Sequence, residues 1–481
     1  MTPMMEMYCK TKEEYKDCIL FYRLGDFYEM FFDDAITASR ELEITLTGKD
    51  CGMEERAPMC GIPFHAYENY MNRLVEKGYK VAICEQVEDP KTAKGLVKRE
   101  VVKIVTPGTN MSAGSLNETK NNYLMSIFYE GRFGISFVDI TTGDFFTTEV
   151  ESLSKVMDEI SKFAPVEILV NEAVPLEEQG SIGISLSGLQ DKEHTMITVM
   201  EDWYYDYSMD EQLIKDQFHL MNIEGLGLKD YPQAVQSVGC LLYYLKDTQK
   251  GAVDHINHIS TYHVEDYVVL DSASRRNLEL CETMRDKNKR GSLLWVLDKT
   301  KTAMGARNLR SMVEQPCIRK DMIENRLDAI EALNNSMITR DELREYLNAV
   351  YDLERLMTRI TLKTANPRDL IAFKNSIGIL PHVKTILQEF DTGLLAQYEQ
   401  DLDELRDLYQ WIEDSILEDP PILVKEGGII KDGYNETVDS LKAAKSDGRQ
   451  WLLDLETKER EATGIKNLKI KFNKVFGYYF D

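Results

Sequence analysis

The alternation of apolar and polar positions changes rhythm along the chain, and each rhythm predicts its own set of elements. Residues 1–17 read as a short polar helix. Residues 18–31 read as two short strands joined by Gly25-Asp26, because glycine enters positive φ without a Cβ penalty and suits a two-residue hairpin loop. Phe27 and Glu29 stand two apart in the second strand, so both project from one face. Asp33-Asp34 would cap a helix running to Leu42. Ile44–Leu46 reads as a strand, Gly48–Arg56 as a polar loop, and Ala57–Pro63 as a strand ending at a proline turn. Tyr67–Lys77 has an amphipathic helical period and stops at Gly78. Tyr79–Glu85 is a buried strand, and Lys98–Thr106 is a last strand cut off by Pro107-Gly108. These elements make one small α/β domain over residues 1–109.

Residues 110–120 are rich in Ser, Gly and Asn and read as a linker. Residues 121–250 open with three strands near Asn122–Tyr129, Phe133–Ile140 and Asp144–Val150. Turns at Glu130-Gly131-Arg132 and Thr141-Thr142-Gly143 make them a meander. A helix at Leu153–Phe163, a strand at Val166–Val170 and a helix at Gln233–Tyr244 suggest an RNase-H-like α/β layer. Residues 251–460 form the next domain, in which from about residue 265 nearly everything takes helical period, in runs at Arg275–Met284, Leu293–Val313, Met322–Leu333, Leu343–Ile360, Gln397–Leu417 and Asn435–Arg460. That predicts an all-helical domain of long struts. At Leu468–Val475 the period returns to two, with lysines on one face, and Gly477–Asp481 begins a second strand. Residues 461–481 are thus the start of a β-rich domain. A sheet of fewer than three strands is not independently stable, so the chain is expected to stop inside a domain. The predicted fold class is multidomain α/β plus all-α.

Composition narrows the function. The 481 residues are 43% hydrophobic and 29% charged, which suits a soluble globular protein of roughly three or four domains. No apolar run of about 18 residues is present, so no membrane span is expected. The N-terminus lacks the basic and apolar segments of a secretory signal. Eight cysteines are scattered without a C-x-x-C pair, and Cys18, Cys84, Cys240 and Cys281 lie in apolar segments as small buried hydrophobes. This predicts a reducing, cytoplasmic compartment with neither disulfides nor zinc. His255, His258 and His263 lack metal-ligand spacing, so no metal site is expected.

The net charge of −25 argues against nucleic acid as a whole, yet what binds phosphate is the local field. Two stretches run against the average. One carries Lys91, Lys94, Lys98, Arg99 and Lys103 with a single acid. The other carries Lys466, Lys469, Lys471 and Lys474 with no acid, interleaved with Phe472, Phe476, Tyr478, Tyr479 and Phe480. Residues 389–419, rich in Asp and Glu, read as a solvated helical face.

Several runs carry a family resemblance. They include Thr2-Pro3-Met4-Met5, Phe21-Tyr22-Arg23-Leu24-Gly25-Asp26-Phe27-Tyr28-Glu29, Gly61-Ile62-Pro63-Phe64-His65 and Val105-Thr106-Pro107-Gly108-Thr109. Further along are Asp298-Lys299-Thr300-Lys301-Thr302, Asp352-Leu353-Glu354-Arg355, Asn366-Pro367-Arg368-Asp369-Leu370 and Asn473-Lys474-Val475-Phe476-Gly477-Tyr478-Tyr479. On these the chain resembles the bacterial MutS DNA mismatch-repair family along its whole length. The resemblance implies a mismatch-recognition domain (1–109), a connector (121–250), a helical core or lever (251–460) and the start of a DNA clamp (461–481). It implies that Phe27 wedges into the minor groove beside a mispaired or unpaired base and that Glu29 hydrogen-bonds to that base. Lys91, Lys94, Lys98, Arg99, Lys103, Lys466, Lys469, Lys471 and Lys474 would contact the DNA backbone. It further implies cytoplasmic, nucleoid-associated work on double-stranded DNA with mismatches or small loops, a MutL-type partner and a sliding clamp. A homodimer is implied for full-length members, with dimerisation weakened here.

Full-length members are DNA-dependent ATPases that use ATP and Mg²⁺ through a G-x-x-x-x-G-K-[ST] phosphate loop. No such run occurs here, so this chain is expected to lack ATPase activity, catalytic residues and a cofactor of its own. The rival reading is a structure-specific nuclease built on the RNase-H-like domain. It would need clustered carboxylates around Mg²⁺, and only Asp139 and Asp144 are placed for it. Relatives devoted to DNA junctions lack the first domain or its Phe-x-Glu, and both are present here.

Overall fold

The computed structural model describes residues 1–88, 97–112, 114–174, 195–251, 253–465, 467–473 and 477–481. They form two compact units, residues 1–364 with 386–400, and residues 365–385 with 401–481.

The first unit begins with helix α1 (Pro3–Glu14) and strands β1 (Cys18–Leu24) and β2 (Phe27–Phe31). Helix α2 (Phe32–Leu42), β3 (Thr47–Lys49), β4 (Ala57–Pro63), helix α3 (Tyr67–Glu76), β5 (Lys80–Gln86) and β6 (Arg99–Val105) follow. The six strands make one sheet in the order β3-β4-β2-β1-β5-β6, with β1 antiparallel to β2 and parallel to β5. Strand alternation divides the core. Phe21, Tyr28, Met30, Ile62, Val81 and Ile83 pack under α2 and α3. Leu20, Tyr22, Phe31, Ala57, Ala82 and Cys84 pack under Met5 and Tyr8 of α1.

Two local expectations are corrected here. The expected strand Ile44–Leu46 does not form, and the strand is Thr47–Lys49, which runs into the expected polar loop. Backbone pairing of Lys49 with Ala57 holds this edge strand, and such pairing leaves no apolar pattern. Asp33-Asp34 do not cap the helix, which already starts at Phe32. Asp34 instead accepts from the Leu20 backbone N–H at 2.9 Å and pairs with Lys12 Nζ at 2.9 Å, joining α1, β1 and α2.

The second sheet has the order β11-β10-β7-β8-β9-β12. It is built from β7 (Leu124–Glu130), β8 (Arg132–Asp139), β9 (Asp144–Val150), β10 (Glu167–Asn171), β11 (Met196–Met200) and β12 (Ser260–Thr261). The expected meander is β7-β8-β9, and β10 runs parallel beside β7. Helix α4 (Leu153–Phe163) covers one face. Helices α5 (Tyr207–Phe218) and α6 (Pro232–Gln249) cover the other. The start of α6 rests directly on β8, since a Cβ on Gly134 would fall 1.9 Å from the Gln233 carbonyl oxygen. Glu149 Oε1 accepts from the Gln233 and Ala234 N–H groups that begin the helix.

A buried carboxylate joins the two sheets. Glu167, fully enclosed, accepts from Thr106 Oγ1 at 2.5 Å, the Gly108 N–H at 2.9 Å and the Tyr244 hydroxyl at 2.5 Å. The expected linker is also held in place. Arg307 donates to the Glu118 carbonyl, and Arg355 donates to those of Asn117 and Lys120. Arg307 makes a bidentate pair with Asp352 at 2.6 and 2.8 Å and reaches Glu354 at 2.5 Å.

Beyond residue 265 the chain is helical as expected, and Lys320–Asn335 and Glu436–Thr463 extend the expected runs Met322–Leu333 and Asn435–Arg460, but the other struts are shorter. Arg275–Met284 ends as a helix at Asn277. Leu293–Val313 divides into Leu293–Leu297 and Ala303–Glu314, because Asp298 turns the chain by accepting from Thr300 and Thr302 caps the next helix. Leu343–Ile360 divides where Asp352 caps Leu353–Thr361. Gln397–Leu417 divides into Gly393–Asp401 and Arg406–Ser415, with Leu405 at φ 50° between them. A capping side chain offers the backbone an exit that an apolar period does not record. Cys281, expected buried, is half-buried, whereas Cys51 and Cys60 are enclosed.

In the second unit, helix Pro367–Ile377 pairs with Arg406–Ser415 through Lys374 and Glu413, 2.6 Å apart. Helix Glu436–Thr463 leads to an antiparallel hairpin of β13 (Ile470–Asn473) and β14 (Gly477–Phe480). Glu456 Oε2 accepts from the Ile470 N–H at 2.9 Å, and Arg460 donates to the Leu468 carbonyl. Among the described residues no helix is long and apolar enough to cross a membrane.

Asp210 on α5 is fully buried against Gly239 of α6, where a Cβ would fall 2.2 Å from its carboxyl group. Burial first, and the Asp206 carboxylate second, push the Asp210 acid up to about 8. The folded protein therefore keeps this proton between its ordinary value near 4 and about 8, while the unfolded chain loses it, so Asp210 makes stability fall as pH rises through that window. Against an Asp210→Asn variant, the wild-type urea midpoint should drop progressively from pH 5 to pH 8. A difference that stays constant with pH would refute this assignment.

Candidate nucleic-acid interface

Phe27 is the first residue of β2 and stands exposed on the sheet face where Phe31 packs against Tyr8 of α1. Its ring is 48% exposed, the only exposed Phe, Tyr or Trp among the described residues of the first 112. The other aromatic residues of the hairpin, Phe21, Tyr22, Tyr28 and Phe31, are buried. Three backbone pairings hold the ring's position. Phe27 is opposite Leu24 on β1 and opposite Pro63 on β4, and the Phe64 N–H donates to the Asp26 carbonyl at 2.9 Å. Gly25, at φ 59°, makes the turn. Beneath it, Arg23 lies over the Phe64 ring at 3.7 Å and pairs with Glu85 at 3.2 Å. Tyr28, on the opposite face from Phe27, donates to the same Glu85 carboxylate.

Glu29 shares the face of Phe27, as the two-residue spacing implies, and is directly opposite Gly61 on β4. Its Oε2 is 2.5 Å from Lys49 Nζ on β3, so the carboxylate is oriented and neutralised from the sheet edge. Lys49 was not a sequence candidate. It lies 20 residues away in a stretch expected to be loop, and only the β3-β4 pairing brings it to Glu29.

The expected backbone-binding cations of the two basic stretches take different positions. Lys91, Lys94, Lys466 and Lys474 lie outside the described residues. Lys98 is exposed and pairs with Glu100 at 2.5 Å. Arg99 is engaged with its own fold. It donates to the Arg23 and Val97 carbonyls, each at 2.8 Å, and lies over the Tyr22 ring at 5.4 Å. Lys103 is opposite Ile83, on the sheet face covered by α2 and α3 rather than that of Phe27. Burial pushes its ammonium down to about 8 against the pull of Glu68. Lys469 and Lys471 stand two apart at the second-unit hairpin, and Lys471 pairs with Asp481.

Asp139 and Asp144 meet at the β8-β9 turn. Asp139 is fully buried, and each oxygen accepts two hydrogen bonds, from Thr141 N–H and Oγ1 and from Asn121 Nδ2 and the Asn122 N–H. Asp144 accepts from Asn121 and Thr142, and burial pushes its acid up. Both carboxylates are committed to fixing residues 121–122 against the turn. Among the described residues no His, Cys, Asp and Glu cluster has the geometry of a metal site.

The fold and this site define a modular protein: two α/β domains followed by helices, with one exposed ring and one oriented carboxylate at the end of a rigid sheet. Residues 2–114, 122–260 and 273–475 match the families described as MutS domain I, MutS domain II and MutS domain III. The chain is 58% identical over 482 residues to the DNA mismatch repair protein MutS of Lachnoclostridium phytofermentans. It is 52% identical to the proteins of that name from Acetivibrio thermocellus, over 485 residues, and Ruminiclostridium cellulolyticum, over 484 residues. All of this chain is covered in each case, against 51%, 55% and 54% of the respective relatives. The chain belongs to the MutS family, and it spans about half the length of the curated relatives it matches.

Arg99 has two backbone acceptors to lose, and hydrogen bonds from a charged donor contribute about 1.5–3 kcal/mol each where they are buried. Arg99→Ala should lower the unfolding free energy by about 1–3 kcal/mol in urea titration and leave the salt dependence of DNA binding unchanged. A salt slope shallower by about one unit would instead make Arg99 a phosphate contact.

Proposed function

We propose that this chain binds duplex DNA at mispaired or unpaired bases, with Phe27 as a minor-groove wedge and Glu29 as the hydrogen-bonding group beside it. The observation that carries the reading is the pairing of an exposed ring with an oriented carboxylate on an interior strand of a sheet whose other hairpin aromatics are buried. A wedge must unstack a base step at a cost of about a few kcal/mol. A mispaired step is less well stacked and more deformable, so it yields at lower cost, and that difference discriminates without a base-edge code. Glu29 would be repelled by nearby phosphates if it stood alone. Lys49, which the register places on the other side of Glu29 from Phe27, offsets that repulsion and holds the carboxylate in place.

In this reading residues 1–109 are the recognition domain, 110–120 its tether, 121–250 the connector, 251–460 the core and lever, and 461–481 the start of the clamp. Lys98 and the hairpin lysines Lys469 and Lys471 serve as backbone contacts. ATP and Mg²⁺, the homodimer, the MutL-type partner and the sliding clamp belong to the activity proposed for the longer relatives. The sequence itself contains no G-x-x-x-x-G-K-[ST] run. Work at the nucleoid in the cytoplasm follows from the same reading.

The test is fluorescence anisotropy with a G·T duplex and its fully paired counterpart across a salt series. The protein should prefer the G·T duplex, and Phe27→Ala should abolish that preference while leaving salt-sensitive binding to both duplexes. A Phe27→Ala protein that keeps the preference would rule out the wedge.

A further inference from the structure

Four glycines lie inside β-strands of the described residues: Gly48, Gly61, Gly134 and Gly477. Three have a structural reason. Gly477 has φ 74°, in the left-handed region. A Cβ on Gly134 would fall 1.9 Å from the Gln233 carbonyl oxygen, and one on Gly48 would fall 3.1 Å from Arg56 Cβ. Gly61 has neither reason. Its backbone is outside the positive-φ region, and a Cβ would meet the Tyr28 carbonyl oxygen at 3.4 Å, Glu29 Cγ at 3.6 Å and Phe27 Cδ1 at 3.9 Å, all ordinary contacts.

A glycine inside a strand is less stable than alanine by about 0.5–1 kcal/mol. At position 61 neither packing nor backbone conformation accounts for that cost. The missing side chain has one consequence, a methyl-sized notch bordered by the Tyr28 carbonyl oxygen, the Glu29 side chain and the Phe27 ring. A strand glycine without a structural reason marks a place where a ligand or another backbone comes close.

We infer that Gly61 determines specificity: its notch admits the edge of a nucleotide displaced by Phe27 and lets that edge reach the Glu29 carboxylate. The inference rests on the proposed mismatch-binding function and deepens it. The ligand chemistry is a base edge with its sugar, entering from the minor groove. Lys49 pairs with the Glu29 carboxylate at 2.5 Å and fixes its position beside the notch. A methyl group at position 61 would fill the notch while leaving the ring, the carboxylate and the strand pairing in place.

The experiment compares wild type, Gly61→Ala and Phe27→Ala by thermal melting and by anisotropy on G·T and fully paired duplexes. Gly61→Ala should melt at the wild-type temperature or above, bind the paired duplex with unchanged affinity and salt slope, and lose about tenfold of its preference for the G·T duplex. Gly61→Ala that keeps its preference within about twofold, while Phe27→Ala loses it, would overturn this inference and leave the wedge intact. A lower melting temperature for Gly61→Ala would overturn it too, because the glycine would then have a packing role. Wild type without any preference for the G·T duplex would sink the proposed function itself.

Discussion

A side chain can unstack a duplex only if its own backbone does not yield first. In this chain that stiffness comes from the position of β2, hydrogen-bonded to β1 on one side and β4 on the other. Phe27 begins that strand, opposite Leu24 and Pro63, so its backbone is held by an interior strand rather than carried on a free loop. The strand is also gripped through both faces, with Tyr28 and Met30 in one core and Phe31 in the other. The exposed ring is thus the free end of a strand whose remaining apolar side chains are buried.

Behind that strand, each domain of the first unit is tied to the next by polar groups that would be costly to leave unpaired. Glu167 accepts three hydrogen bonds across the joint between the two sheets. Arg307 and Arg355 hold the segment that follows the first domain by its carbonyl oxygens, and Asp139 fixes the residues just after it. The strand that carries Phe27 thus belongs to a sheet that is joined to the next one by the buried Glu167. The same arrangement explains why Asp139 and Asp144, which look like a catalytic pair on adjacent strands, serve as anchors.

Much of this was legible in the sequence. The Gly25-Asp26 turn, the two-residue spacing of Phe27 and Glu29, and the β7-β8-β9 meander follow from local chemistry, and the structure has them as read. What local patterns miss is partnership across distance. Arg99 reads as one more cation in a basic run, yet its acceptors are carbonyls of Arg23 and Val97. Lys103 alternates onto the face covered by α2 and α3, which only the register with Ile83 reveals. Lys49 reaches Glu29 through an edge strand with no apolar signature. The helical runs look continuous because apolar periodicity survives a break, while Asp298 and Asp352 end them through hydrogen bonds. Gly61 is invisible for a related reason, since its meaning lies in what a Cβ there would touch.

In the proposed complex the Phe27 ring enters the base stack at a mispair. The most direct measurement places 2-aminopurine beside a G·T pair and follows its fluorescence as protein is added. A rise is expected on binding, as the base loses its stacking neighbour, and no rise on a fully paired duplex bound to the same extent. Fluorescence that stays at the free-duplex level while anisotropy reports a bound G·T complex would contradict it.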